Sequence, residues 1–489
     1  MTTTSLRKLA FSGVIWSLVQ NWGSKLSAFI IFVFLARFLS PAELGVASAA
    51  LVVITLITLV AEFGFGDALV QRGEINDYDY NLPFFVALVM SGLLAVILAL
   101  SSSWVEKILG VDNISKYLCV LAITAPLTTL ATFQEVAYKK SLQFRRLAIR
   151  VYVVNIIAGP VAIYFAYIGL GTWSIVLQSF ATILAGLLWL WSRPYWIPSL
   201  KISTKSFFEL WRFGSWVVLL RLFDFFGTRY VDYIVVTRFG VSAFGLYSVG
   251  SRLYQIMMIL MQSALNDVSL VLLSKISGDR ERIGRAYLQS VRLAAYIGAP
   301  AFVGLSALSK EVVEILFGGK WVGVEAISEP LLLVGAIQCV QNLNSLYLNA
   351  KGKPYITLIT MILKITLVVG FILAIDARNA ANLAFVYLLV QICTLPVSFG
   401  FAIRELGIRV SDILREILPS ALACSLAFGT VFAFRYLLLD AQIGLVLEFG
   451  VLGAAFMIAY LLSILLSARR QLSWILSFCQ SLSRRGKDV

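Results

Sequence analysis

The sequence predicts an all-α protein that crosses a membrane about fourteen times. Two observations carry this. Of the 489 residues, 60% are hydrophobic and only 13% charged, about half the charged share of a soluble domain, and mean hydropathy is +0.89. A soluble chain of this length would divide into several domains, each with a polar shell that so few charges cannot cover. The apolar residues also come in continuous runs of about 20, the length of helix that crosses about 30 Å of hydrocarbon. They do not alternate as the strands of a membrane barrel do.

Runs between charged or Pro/Gly breaks place the spans near 13–36, 44–66, 82–101, 117–137, 151–168, 172–192, 214–237, 244–268, 288–309, 327–349, 355–375, 380–402, 414–437 and 442–466. The first begins beyond Arg7 and Lys8 and ends at Arg37; Ser40-Pro41 turns the chain into the second, which closes at Gly64 and Gly66. Polar residues 67–81 precede the third, and Lys107 to Lys116 follow it. The fourth ends at the densest basic segment, Lys139, Lys140, Arg145, Arg146 and Arg150, and Gly169 and Gly171 separate the fifth from the sixth. Arg193 to Arg212 leads to the seventh, Arg238 to Val241 divides it from the eighth, and Lys275 to Arg285 leads to the ninth. Gly318-Gly319-Lys320, Lys351 to Lys353, Arg378, Arg404 to Arg409 and Asp440 to Gly444 mark the remaining breaks, and an amphipathic basic tail, 469–489, ends the chain.

An even number of crossings puts both ends on one side. With Arg415 and Arg435 counted in the loops they adjoin, 26 of the 40 Lys and Arg fall on the side of the termini, 8 on the other and 6 within spans. That bias places both termini in the cytoplasm. It also explains the net charge of +14 without nucleic acid. The first apolar stretch lacks a short h-region with a small-residue cleavage site, so no cleavable signal is expected. The five cysteines show no disulfide or metal spacing, and histidine is absent, which removes the commonest proton shuttle and metal ligand.

A weak repeat runs through the chain. Gly13, Trp16 and Ala36-Arg37-Phe38-Leu39-Ser40-Pro41-Ala42-Glu43-Leu44-Gly45 match Gly214, Trp216 and Thr237-Arg238-Phe239-Gly240-Val241-Ser242-Ala243-Phe244-Gly245. Each copy opens a set of six spans of the same orientation, as in transporters built from two parallel lobes. The expected organisation is residues 1–200 for the first lobe, 201–403 for the second, 404–468 for two appended spans and 469–489 for a cytoplasmic tail.

Charge inside a span costs about 2.5–3.5 kcal/mol per residue, so it faces a partner or a water-filled cavity. Arg221, Asp224, Thr228, Arg229 and Asp232 share one face of span 7, within about 140° at 100° per residue. Arg221 with Asp224 and Arg229 with Asp232 are also i,i+3 pairs. One reading is an internal ion-pair ladder, the other a cavity wall. Span 1 repeats the geometry with Gln20, Asn21 and Lys25; Arg252 and Gln255 lie in span 8, and Gln338, Gln341 and Asn342 in span 10. Such amides either line a cavity or knit helices together. Lys25, Arg221, Arg229, Arg252, Arg292 and Lys364 outnumber Glu62, Glu135, Asp224 and Asp232 within spans, so the interior leans positive. A positive cavity suits an anionic cargo such as a phosphate or pyrophosphate, which Arg binds in bidentate fashion. No nucleotide-binding motif and no nucleophile–histidine arrangement is present, so the expectation is a secondary transporter and not an enzyme. No cofactor is expected beyond a coupling ion, Na+ or H+, with Glu62, Asp224 and Asp232 as its candidate ligands.

Several strings resemble the polysaccharide branch of the multidrug/oligosaccharidyl-lipid/polysaccharide exporter superfamily, the colanic-acid type of Wzx flippase in particular. Glu62-Phe63-Gly64-Phe65-Gly66 with Ala68-Leu69-Val70-Gln71-Arg72 is similar to its D-F-G…I-Q-R segment, with Glu for Asp. Arg212-Phe213-Gly214 with Trp216 resembles its opening of span 7, and Phe317-Gly318-Gly319-Lys320-Trp321 its F-G-x-K-W. The resemblance implies a multi-pass protein of the bacterial inner membrane, with two six-helix lobes in a V shape. It implies a cargo of undecaprenyl-pyrophosphate-linked oligosaccharide flipped for exopolysaccharide, capsule or O-antigen assembly. Membrane lipids are implied partners too, and the glycan polymerase and export machinery are further candidates. A lipid II flippase and a drug/cation antiporter of the same superfamily are the alternatives; a drug antiporter favours an acidic cavity, against the excess of Arg and Lys here.

Overall fold

The structure, a computed structural model, describes residues 23–73, 76–274, 280–375, 379–438, 444–467 and 471. The predicted basic tail, 469–489, lies outside these apart from Gln471, as do Gln20 and Asn21. Among the described residues the chain is helical, without strands. The helices are α1 (residues 23–38), α2 (Pro41–Ala61), α3 (Phe65–Gln71), α4 (Asp77–Leu109), α5 (Ile114–Ala122), α6 (Thr124–Lys140), α7 (Phe144–Tyr167), α8 (Thr172–Trp191) and α9 (Thr204–Ser274). They continue with α10 (Arg280–Leu293), α11 (Ala299–Ala307), α12 (Ser309–Phe317), α13 (Glu325–Ala350), α14 (Pro354–Ile375), α15 (Ala380–Leu406), α16 (Val410–Leu438) and α17 (Leu445–Ser467).

Twelve helical segments among the described residues are long and apolar enough to cross a membrane. The expected count is about fourteen, and the difference has two sources. Only residues 23–36 of the first expected span are described. The seventh and eighth are continuous in α9, whose helical backbone is interrupted only at Gly240, with φ 81° and ψ 174°. A straight helix of its 71 residues would measure about 107 Å, more than three times the hydrocarbon thickness. Gly240 breaks it where the sequence places Arg238 to Val241 between two spans.

Local chemistry sets the helix ends. Ser40 caps α2, with Pro41 opening the helix and Glu43 accepting from the Ser40 backbone N–H at 2.8 Å, a reciprocal capping box. Gly110 and Gly407 close α4 and α15 in the left-handed conformation. Hydroxyls inside spans return their hydrogen bonds to their own helix, as Thr55 does to the Leu51 carbonyl at 2.6 Å and Thr228 to Asp224 at 2.8 Å. This satisfies polar atoms where no water is available.

The chain forms two compact units, Met1–Ser248 and Val249–Val489. In the second, burial ranks the helices: 72% of the apolar stretch of Glu281–Ala307 and 67% of that of Glu325–Ala350 are buried, against 17% for Pro354–Ala374 and 22% for Leu445–Ser467. α11 and α13 are therefore central. α14 and α17 are peripheral, presenting Leu358, Ile362, Leu373 and Leu466 outward as a lipid-facing surface. A π-helical turn, Ala294–Gly298, joins α10 to α11.

In the first unit the two repeat copies meet. An ideal Cβ on Gly45 would lie 2.0 Å from the Val241 carbonyl oxygen, and one on Gly245 would lie 1.8 Å from that of Pro41. The contact is reciprocal, each glycine receiving the first-turn carbonyl of the other copy. A second close approach joins Gly64, at φ 63°, to Gly214: a Cβ on either would come within 2.5 Å of backbone oxygen. Two of the strings that carry the family resemblance thus touch. Phe63 stacks on Trp211 at 4.7 Å beside them, and Phe65, Phe84, Phe133 and Trp196 extend the cluster.

The irregular connection between α8 and α9 is held by buried side chains. Asn81 accepts from the Ser199 backbone N–H at 3.1 Å and donates to the Lys201 carbonyl at 2.7 Å and the Ser199 hydroxyl at 2.8 Å. Gln134 does the same for Tyr195 and Trp196. Each such bond contributes about 1 kcal/mol. Asn81→Ala is therefore expected to raise the rate of tryptic cleavage after the exposed Lys201 several-fold in membranes. An unchanged rate would show that the connection holds without Asn81.

Candidate functional site

The polar face of span 7 is the first half of α9, and it carries the best-defined constellation of the first unit. Arg221 does not pair with Asp224 as the i,i+3 spacing suggests. Its Nη1 donates to Glu62 at 3.3 Å and its Nη2 to Asp67 at 2.6 Å. Glu62 ends α2 and Asp67 lies in the first turn of α3, so the tight turn at Phe63 and Gly64 sets two carboxylates side by side. A guanidinium fork offered two carboxylates takes both. Thr132 of α6 donates to the other Glu62 oxygen at 3.2 Å. The Arg221 side chain keeps 42% of its surface exposed, so this is an accessible charged cluster and not a sealed ion pair. Asp224 is exposed, and among the described residues no cation lies within ion-pair distance of it.

Two turns further on, Arg229 pairs with Asp232 at 2.9 Å, as its spacing predicts. The partners are unequal: the Asp232 side chain is 12% exposed and that of Arg229 43%. Arg229 also lines a cavity of about 560 Å³ between α2, α4 and α9, whose other walls are apolar and aromatic. Lys25 is exposed on α1. Glu135, counted as a span carboxylate, is held by Lys139 at 2.9 Å and Arg150 at 2.7 Å.

In the second unit the predicted cations diverge. Arg292 donates from Nε and Nη2 to the two oxygens of Glu416 on α16, at 2.6 and 2.5 Å. Lys364 of α14 lies over the Tyr387 ring, 5.9 Å from its centre, and among the described residues no carboxylate reaches it. Arg252 is half-buried. Gln255 donates to the Ser251 hydroxyl at 3.5 Å. The predicted amides join a network that ties α9, α13 and α15: Tyr254 donates to Gln338, Gln338 to Gln391 at 3.3 Å and to Tyr387 at 3.4 Å, and Gln391 to Gln341. Asn342 is half-buried beside them. One helical turn along, Asn344 accepts from Tyr287 at 2.7 Å and donates to Ser398 at 2.9 Å.

Sequence reasoning missed Asp67, Gln391, Tyr387, Asn344 and Glu416. Asp67 follows the expected end of its span, and Glu416 adjoins Arg415 at the start of another, so both read as loop charges. Asn344 had a signal: Gln338, Gln341 and Asn344 recur every three residues along one side of α13. A different pairing also emerged outside the candidate site. Arg435 clasps Glu311 of α12 with bonds of 2.8, 2.9 and 3.2 Å, and the Glu311 side chain is 1% exposed.

The chain matches a family model described as "polysaccharide biosynthesis protein" over residues 34–326, more than half its length. It is 26% identical over 342 residues to the succinoglycan biosynthesis transport protein ExoT of Rhizobium meliloti (strain 1021), covering 68% of each chain. With the teichuronic acid biosynthesis protein TuaB of Bacillus subtilis (strain 168) it shares 21% over 462 residues, 91% of this chain and 93% of the relative. With the lipopolysaccharide biosynthesis protein WzxC of Escherichia coli (strain K12) it shares 21% over 411 residues, 82% of each. Among solved structures, the lipid II flippase MurJ in an inward closed conformation matches with TM-score 0.73 at 16% identity, over 94% of this chain and 100% of that one. An inward-facing multidrug MATE transporter matches with TM-score 0.61 at 14% identity, over 78% and 94%. At these identities the two structures establish the fold.

Proposed function

The chain belongs to the polysaccharide biosynthesis protein family, and from that membership we propose that it is a secondary transporter that flips a lipid-linked oligosaccharide across the bacterial inner membrane. The observation that carries the reading is Arg221, a partly exposed guanidinium in a membrane-spanning helix, held by carboxylates from the end of α2 and the start of α3. A charge kept within a membrane-spanning helix marks a functional site by default. The relatives named above serve succinoglycan, teichuronic acid and lipopolysaccharide biosynthesis. The names span three different polysaccharides, and a positive lining suits the phosphate of a lipid-linked precursor.

In this reading an arriving pyrophosphate competes with Glu62 and Asp67 for Arg221. Arg has five N–H donors, so exchange of one acidic partner for another needs no desolvated, unpaired intermediate. Alternating exposure of the polar lining to the two faces of the membrane then carries the headgroup across. Coupling to Na+ or H+ is assigned to the carboxylates released in that exchange, Glu62 and Asp67, and to the exposed Asp224. Both termini lie in the cytoplasm, and the polymerase that extends the glycan acts on the far side.

The test is a deletion strain complemented with wild type or with Arg221→Gln. Deletion is expected to accumulate one lipid-linked oligosaccharide in the cytoplasmic leaflet, cleared by wild type. Arg221→Gln at matched protein level is expected to clear it at least tenfold more slowly. No accumulation, with altered drug tolerance instead, would move the assignment to a drug antiporter. Accumulation of peptidoglycan precursor would move it to a lipid II flippase.

A further inference from the structure

The cavity beside Arg229 has a composition that the transport reading does not use. It lies wholly within the first unit, between α2, α4 and the first half of α9, and measures about 560 Å³. Val52, Leu56, Ile97, Phe225 and Phe226 are among its walls, and Arg229 is the one charged residue that lines it. Asp232 does not line it. The buried Asp232 carboxylate accepts from Arg229 Nη1 at 2.9 Å and so fixes the guanidinium, while the Arg229 side chain stays 43% exposed at the cavity wall. Ile97, Ile108, Phe226 and Tyr233 of its walls are also exposed, so its rim is apolar and aromatic.

Depth adds a second constraint. Arg229 precedes the Gly240 break by 11 residues, about 16 Å of helix and roughly the thickness of one leaflet. Arg221 is two turns, about 12 Å, further from that break. The two arginines are thus two anion positions along one helix face, and only the deeper one has an apolar pocket attached.

We propose that Arg229 and this cavity form a mid-membrane station for the carrier lipid of the cargo: the pyrophosphate is held on Arg229 while the first isoprene units of the polyprenyl chain lie against α2, α4 and the Phe225–Phe226 pair. The proposal rests on the transport reading for the identity of the occupant. It assigns the lipid-proximal part of that occupant to a place in the protein, where a tail left entirely in the bilayer would need none. Asp232 is a positioning residue in this scheme, and Arg229 is the contact.

The test uses the purified full-length chain in nanodiscs and a photoreactive benzophenone analogue of farnesyl diphosphate. Label is expected in peptides spanning 52–57 and 97–109. Farnesyl diphosphate is expected to compete at least tenfold better than inorganic pyrophosphate, farnesol or phosphatidylglycerol. Labelling should fall about tenfold in Arg229→Gln and survive in Arg229→Lys. Label confined to other helices, or undiminished in Arg229→Gln, would overturn the station. Equal competition by phosphatidylglycerol would make it a site for resident phospholipid, and equal competition by pyrophosphate would remove the role of the cavity; either result overturns the proposal. The wild-type label map needs no variant to fold. Failure of the transport reading shows separately, as a deletion strain without lipid-linked oligosaccharide build-up.

Discussion

Gly245→Val is expected to abolish the folded, monodisperse protein in detergent extracts. An ideal Cβ at this position would sit 1.8 Å from the Pro41 carbonyl oxygen and 2.7 Å from its carbon. Both are backbone atoms, so no side chain can turn aside to relieve the clash. Pro41 is further fixed as the first residue of a helix with a complete capping box. Overpacking a core with flexible neighbours costs about 1–3 kcal/mol, and a backbone neighbour puts this case at or above that range. Gly45→Val meets the Val241 carbonyl at 2.0 Å and is expected to behave alike, because the contact is reciprocal. Gly429 has nothing within 4 Å of its would-be Cβ, so Gly429→Ala serves as the neutral control. Size-exclusion profiles of the fluorescently tagged variants decide the matter. A wild-type peak for Gly245→Val would mean that the two helix starts do not hold this contact.

Glu311→Ala is expected to lower the thermal midpoint in detergent more than any single removal of an exposed charge. Glu311 is 1% exposed, and both its oxygens accept from Arg435. Without it, Arg435 keeps the Ala307 carbonyl at 2.9 Å and no carboxylate among those bonds. Breaking a buried pair on one side costs about 3–5 kcal/mol, whereas replacing both partners by apolar residues is often neutral. The double variant Glu311→Leu/Arg435→Met is therefore expected to recover most of the loss. A single variant that melts with wild type would show the pair to be hydrated. Recovery in the double variant separates a charge penalty from a packing defect at α12.

Arg221 shows where reading along the chain stops working. Its i,i+3 partner Asp224 is visible in the sequence, and Arg229 with Asp232 confirms that such pairs do form. Arg221 goes instead to Glu62 and Asp67, 159 and 154 residues away. Arg292 has the same history: near a span end it reads as a side chain reaching for the interface, yet it meets Glu416, 124 residues away. The amides of α13 are intermediate. Their helical spacing was legible, and their partners on α9 and α15 were not.

What the sequence determined by itself was therefore everything set by one helix at a time. Span length follows from apolar run length. Helix breaks follow from Gly240, Ser40-Pro41 and their like. The glycines of the repeat stand 200 residues apart in plain view, and the family is carried by strings that lie within single turns and helix starts. Only the tertiary structure decided which faces meet. In hydrocarbon an outward-facing leucine and an inward-facing one are solvated almost alike, so hydrophobic periodicity no longer marks the interior. Which carboxylate meets Arg221, which carbonyl fills the space at Gly245 and which helices wall the cavity at Arg229 are settled by close packing and charge pairing between segments far apart in the chain.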